Sequence, residues 1–219
     1  MDALRHVRLM AEYNRWMNRR LYEAAASLPP QALHQDRGAF FGSILGTLNH
    51  VVVGDSIWLR RFDAPGHWER LREAIDWLPR PTSLRDPLAT DLPSLTVLRA
   101  RIDELIVAWC EHLIFTDLDR VLVYRNVAGD VFQRQVGPLL SHFFNHQTHH
   151  RGQATTLLFQ AGVDPRETDL IAMPGFDPFT PIDEDEAGDL PPLPPSVGTV
   201  TVPAATAAVP EAPTDRSTA

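Results

Sequence analysis

Leu4, Val7, Ala11, Asn14, Leu21, Ala25 and Leu28 follow one another three, four or seven residues apart. Such spacing puts them on one face of a helix running from about Asp2 to Leu28, where Pro29 and Pro30 stop it. Asn14 is the polar member of that apolar stripe. A second helix is predicted from Ser43, as N-cap, to about Phe62, with Ile44, Leu48, Val51, Trp58 and Phe62 on one face. Asp55 interrupts the face and His50 lies beside it. Gly46 and Gly54 stand one turn to either side of His50. Each costs about 1 kcal/mol relative to alanine inside a helix, so the pair suggests that something there needs room.

Residues 63–93 are rich in Pro, Asp and Arg and read as a long crossover with at most a short helix between Trp68 and Trp77. A third helix, capped near Asp91 or Ser94, carries Leu95, Leu98, Ile102, Leu105, Trp109 and Leu113. The period then drops to two. Val121 to Arg125, a turn at Ala128-Gly129-Asp130, and Val131 to Val136 describe a hairpin. A fourth helix starts at Gly137-Pro138 and ends at Gly162. The predicted fold is all-α: a four-helix bundle with a long crossover between helices 2 and 3 and a small β-hairpin before helix 4.

Composition narrows the chemistry. All 20 basic residues are arginine, which excludes Schiff-base chemistry on lysine and the P-loop lysine. The single cysteine, Cys110, cannot form an intrachain disulfide, so a reducing cytoplasm is the expected compartment. No apolar run approaches membrane-spanning length, and the first residues are amphipathic rather than signal-like. Residues 183–219 hold seven acids against Arg216, six of the chain's eight net negative charges. A near-neutral body argues against nucleic acid as a partner. The expected organisation is therefore a helical domain over 1–182 and an acidic, Pro/Ala-rich disordered tail over 183–219.

The fourth helix contains HFFNHQTHHRGQ, with His142, His146, His149 and His150 inside nine residues. Two imidazoles at i and i+4 project from one side of a helix and can share a metal ion. At about 100° per residue, His150 falls within the arc of Leu139, Leu140, Phe143, Ala154, Leu157 and Ala161, and His146 falls at its edge. His142 and His149 lie further out, towards the rim. His50, with its two glycines, is the best-placed third ligand. Three neutral imidazoles leave a coordination position open, the catalytic pattern. Asn14 and Asp55 are candidates to accept the outer ring N–H groups of the ligands. The alternatives are that Asn14 bonds a helix terminus and that Asp55 pairs with Arg60 or Arg151.

The segments EYNRWMNRRLY, GTLNHVVVGDSIWL and HFFNHQTHHRGQATTLLFQAG, in this order, resemble the DinB family of the DinB/YfiT-like superfamily, named after damage-inducible bacterial proteins. The likeness runs over roughly residues 3 to 175. It implies a bundle of unusual connectivity, a homodimer, and a divalent metal, zinc or nickel, on the positions that match His50, His146 and His150. Relatives include thiol-dependent enzymes such as bacillithiol S-transferases and the mycothiol-dependent maleylpyruvate isomerase.

Three functions follow as expectations. One is a hydrolase activating water; another is an S-transferase activating a low-molecular-weight thiol against a small-molecule substrate. The third is a non-enzymatic, stress-associated metal-binding or scaffolding protein. In the enzymatic readings Asp55 or His149 would take a proton, and Arg151 would bind the carboxylates of the thiol.

Overall fold

A computed structural model describes residues 2–63, 68–126 and 128–176. The expected tail over 183–219 lies outside the described residues. The described chain is mostly helical, with one two-stranded antiparallel sheet. Its long helices are α1 (Ala3–Ala26), α3 (Ile44–Phe62), α5 (Leu92–His112) and α7 (Val136–Gln160). Short helices α2 (Pro30–His34), α4 (Glu69–Ala74) and α6 (Phe115–Asp119) lie between them. Helix α1 packs on α5 and α7, and α3 packs on α7 and α5.

Local chemistry sets these boundaries. Side chains of Asp2, Ser43 and Asp91 cap α1, α3 and α5 by accepting from the backbone N–H of Arg5 (2.8 Å), Gly46 (3.0 Å) and Ser94 (2.8 Å). Each cap contributes about 0.5–2 kcal/mol. Pro29 and Pro30 end α1 as expected, but Pro30 also opens α2, because proline at the first helical position loses no hydrogen bond. Helices α2 and α6 were not expected; five residues are too few for a periodic signal.

Strands β1 (Val121–Arg125) and β2 (Val131–Gln135) pair with Val121 opposite Gln135 and Arg125 opposite Val131. Gly129, at φ 93°, supplies the turn's left-handed residue. Helix α7 begins one residue before the predicted Gly137.

Apolar faces of the four long helices meet in a core whose largest fully buried side chains include Trp109, Phe62 and Phe143. Phe62 lies 4.9 Å from Trp109 and 6.0 Å from Phe143 between ring centroids. Cys110 is buried there, and loss of solvation pushes its thiol pKa up, so it is an inert core residue. Among the described residues, no helix is long and apolar enough to cross a membrane.

The predicted face of α5 needs one correction: Leu98 and Leu105 are only partly buried, whereas Arg99 and Asp103 are buried. Those charges meet polar groups from α1 and α3, which draws the helix face around towards them.

Residues 75–91 are strapped to α3 by polar contacts. Arg60 donates to the carbonyls of Pro79 (2.8 Å), Ile75 (2.7 Å) and Leu78. The Asn49 side chain donates to the Ala89 carbonyl (3.0 Å) and accepts from its N–H (3.1 Å). This strap carries Leu84 and Arg85 to the side of His50.

Candidate metal centre

Helix α3 brings His50, and α7 brings His146 and His150, into one cluster. Their candidate ligand atoms all lie within 4.8 Å of one another. His150 is 4.4 Å from His146 and 4.3 Å from His50 between ring centroids, and His50 is 5.3 Å from His146. His50 is 4 % exposed, while His146 and His150 are half-buried.

The two glycines flanking His50 make room for different groups. A side chain at Gly54 would place its Cβ 2.6 Å from Cε1 of His146, so the absent side chain is where that imidazole sits. One at Gly46 would run into the backbone carbonyl of Phe41. The loop before α3 therefore approaches closely enough for the Phe41 ring to stack on His50, with centroids 3.7 Å apart and planes at 16°. The loop's left-handed glycines, Gly38 and Gly42, let it double back: Arg37 N–H donates to the Gly42 carbonyl at 2.8 Å.

Hydrogen bonds assign the tautomers. Nδ1 of His50 faces the Leu84 carbonyl at 2.9 Å; a carbonyl only accepts, so Nδ1 carries the hydrogen and Nε2 is bare. Nδ1 of His150 faces Oε1 of Gln153 at 2.8 Å, and its Nε2 is bare for the same reason. These two Nε2 atoms are 3.1 Å apart. Two lone pairs thus face each other without a proton between them. That is repulsive for neutral rings, and a cation between them removes the repulsion.

Burial works in the same direction. It pushes the His50 pKa down to about 4, against the raising effect of the Leu84 carbonyl, and pushes His146 down to about 3 with help from the neighbouring imidazoles. His150 is lowered as well, again mainly by burial. All three are unprotonated at neutral pH, the state a metal requires. Nitrogen ligands sit about 2.0–2.1 Å from zinc, so the closest pair already has nearly the separation of two ligands on one ion. The donor set fits a divalent metal.

The other candidate residues stand elsewhere. Asn14 and Asp55 do not bond the imidazoles; Leu84 and Gln153 do. Asp55 accepts from Gln147 Nε2 at 2.7 Å and pairs with Arg99, neither of the arginines expected. Arg99 also pairs with Asp103 at 2.9 Å. Asp103 in turn accepts from Asn14 (3.1 Å) and Asn18 (2.9 Å), and Asn14 accepts from Arg151. Arg151 is 3 % exposed and spent inside this network, so it cannot bind a solute anion as expected. His149 is exposed, its ring 4.7 Å from that of His150, and its Nε2 accepts from Gln153 Nε2 at 3.3 Å. His142 is at the rim, against Trp58.

Gln147 and Arg151 each follow a ligand-position histidine by one residue. That rotation of about 100° turns them off the histidine face into the polar network, so α7 carries two polar rows side by side. The Gln147–Asp55 bond joins α7 to α3 one residue from both His146 and Gly54, which holds the two helices in the register the cluster needs. Gln153 was not among the expected orienting groups, although its place in HHRGQ, one turn beyond His150, is a signal that could have found it. The Leu84 carbonyl was not, because a backbone atom in an irregular strap carries no residue-type signal.

Protein DinB of Bacillus subtilis (strain 168) is 29 % identical over 164 residues, covering 72 % of this chain and 87 % of that protein. The model of the DinB family matches residues 3–178, a span that holds all three clustered histidines and both flanking glycines, and the chain belongs to that family.

Proposed function

We propose that the protein is a divalent-metal-dependent enzyme in which His50, His146 and His150 hold zinc or nickel at the centre of a DinB/YfiT-like four-helix bundle. The observation that carries this reading is the pair of bare Nε2 atoms 3.1 Å apart, each fixed by a hydrogen bond behind its ring. A divalent ion held by three imidazoles supplies a Lewis acid that makes a water or a small thiol nucleophilic at neutral pH.

The chain's own groups do the rest. Leu84 and Gln153 stop two of the rings from turning. The Phe41 ring covers one face of His50 and keeps water from it. The half-buried edges of His146 and His150 leave an approach for a small molecule. In the transferase form, the thiol sulfur forms a bond to an electrophilic carbon, chloride leaves with the bonding pair, and the thiol proton goes to a base. His149 Nε2 is the group on that face placed to take it, releasing the Gln153 amide; Asp55 is sealed in its ion pairs. The family resemblance supports a homodimer, and the single cysteine, Cys110, supports a reducing cytoplasm as its compartment.

The test uses protein purified without a histidine tag and loaded with zinc or nickel. It is incubated with bacillithiol, mycothiol or glutathione plus a chlorinated electrophile, and separately with activated esters. Metal-dependent conjugate or hydrolysis product, lost in His150→Ala, is expected. No product from any combination would overturn the enzymatic reading and leave a metal-binding protein.

A further inference from the structure

Arg85 follows the residue whose carbonyl orients His50. Its guanidinium lies over two rings, 4.8 Å from the centroid of Phe40 and 5.3 Å from that of Phe41. Phe40 and Phe41 meet edge to face at 4.8 Å and form a ledge. Phe41 is the ring stacked on His50, and it also lies 5.5 Å from His150. Phe40 is 70 % exposed, and Arg85 is exposed with it.

Among the described residues, no carboxylate lies within ion-pair distance of this guanidinium and no side-chain acceptor bonds it, whereas Arg99 pairs with Asp55 and Asp103 and Arg151 donates to Asn14 inside the protein. The turn beneath Arg85 is built: Asp86 accepts from the backbone and hydroxyl of Thr82, and Arg85 N–H donates to Ser83 Oγ at 3.1 Å. A cation resting on aromatic faces keeps its planar fork of N–H donors, and such a fork matches a carboxylate.

We propose that Arg85, resting on the Phe40–Phe41 ledge, binds the carboxylate of a small ligand whose other end reaches the three histidines. This rests on the reading of those histidines as a metal centre, and it narrows the substrate or cosubstrate to a carboxylate-bearing one. The anion site that Arg151 cannot supply is placed instead on the strap that orients His50. One short turn thus serves both ends of the ligand: Leu84 fixes a ring at the reacting end, and Arg85 takes the charge at the other.

The full chain loaded with cobalt(II), whose visible bands change when a thiolate binds, tests this directly. Mercaptoacetate, 3-mercaptopropionate and 4-mercaptobutyrate are titrated against the mercaptoalcohols of the same lengths. At least one acid is expected to bind about 10-fold more tightly than its alcohol, the scale of a hydrogen bond to a charged group. Arg85→Gln should erase that preference, and Arg85→Lys should restore part of it. Cobalt bands with equal binding of acids and alcohols, or a preference that survives Arg85→Gln, would overturn the proposal and leave the metal reading standing. Absence of cobalt bands before any thiol is added would overturn both.

Discussion

Arg99→Met is expected to destabilise the protein by about 3–5 kcal/mol, the scale on which removal of one partner from a buried ion pair acts. Arg99 is 2 % exposed and is the cation between Asp55 and Asp103, which are also buried. Methionine fills much of the space but removes the one cation paired directly with both carboxylates, and leaves only the more distant Arg151 to offset them. Domains are stable by only about 5–15 kcal/mol, so the loss is a large share of the total. It should appear as a fall of roughly 6–20 °C in melting temperature for a domain of this size.

The deficit should shrink in mild acid. Burial already raises the Asp103 pKa to about 6 despite Arg99, and removing the guanidinium raises it further. A carboxyl whose pKa is higher folded than unfolded takes up a proton on folding, so stability rises as pH falls through that window. Thermal melts of the two proteins at pH 7 and pH 5 check both statements. Equal melting temperatures at pH 7 would mean that the network contributes nothing.

Gly54→Ala should separate the site from the fold. Alanine in a helix interior is favoured over glycine by about 1 kcal/mol, so the metal-free protein should melt no lower than wild type. The new methyl, however, would arrive 2.6 Å from His146 Cε1. An imidazole at the end of a side chain can swing away cheaply, and in doing so it leaves the other two rings. Metal affinity is therefore expected to fall by at least about 10-fold, comparable with the loss of a group that orients a ligand. Calorimetric titration with zinc beside a thermal melt of the apo protein reads both quantities. Unchanged affinity would show that His146 is not needed at the centre.

What could be read from the residues alone divides along physical lines. Helix starts were legible because Ser43, and Asp91 or Ser94, announce caps, and the hairpin because alternation around Ala128-Gly129-Asp130 has no helical reading. His50, His146 and His150 could be brought together on paper from helical phase and two glycines that had no reason to be there otherwise. The buried network was misread. A single Asn14 or Asp55 in an apolar stripe shows that a partner exists but not which one, since Asp55 and Arg99 are far apart in sequence and meet only once α3 packs on α5. The groups behind the rings were missed for a related reason. Leu84 acts through its backbone and Phe41 through a loop whose approach depends on Gly46, so neither has a pattern of its own. Arg85 was hidden among many arginines until the strap placed it on Phe40 and Phe41.

The account stands on one cation shared by imidazoles from α3 and α7. X-ray absorption of the zinc-loaded protein, with zinc quantified per chain, tests this most directly. One zinc per chain is predicted, with three imidazole nitrogens at about 2.0–2.1 Å. Changing His50, His146 or His150 singly to alanine should remove one nitrogen and weaken binding, whereas changing His142 should do neither. Zinc held equally well by a variant lacking all three, or a coordination shell without imidazole, would contradict the account.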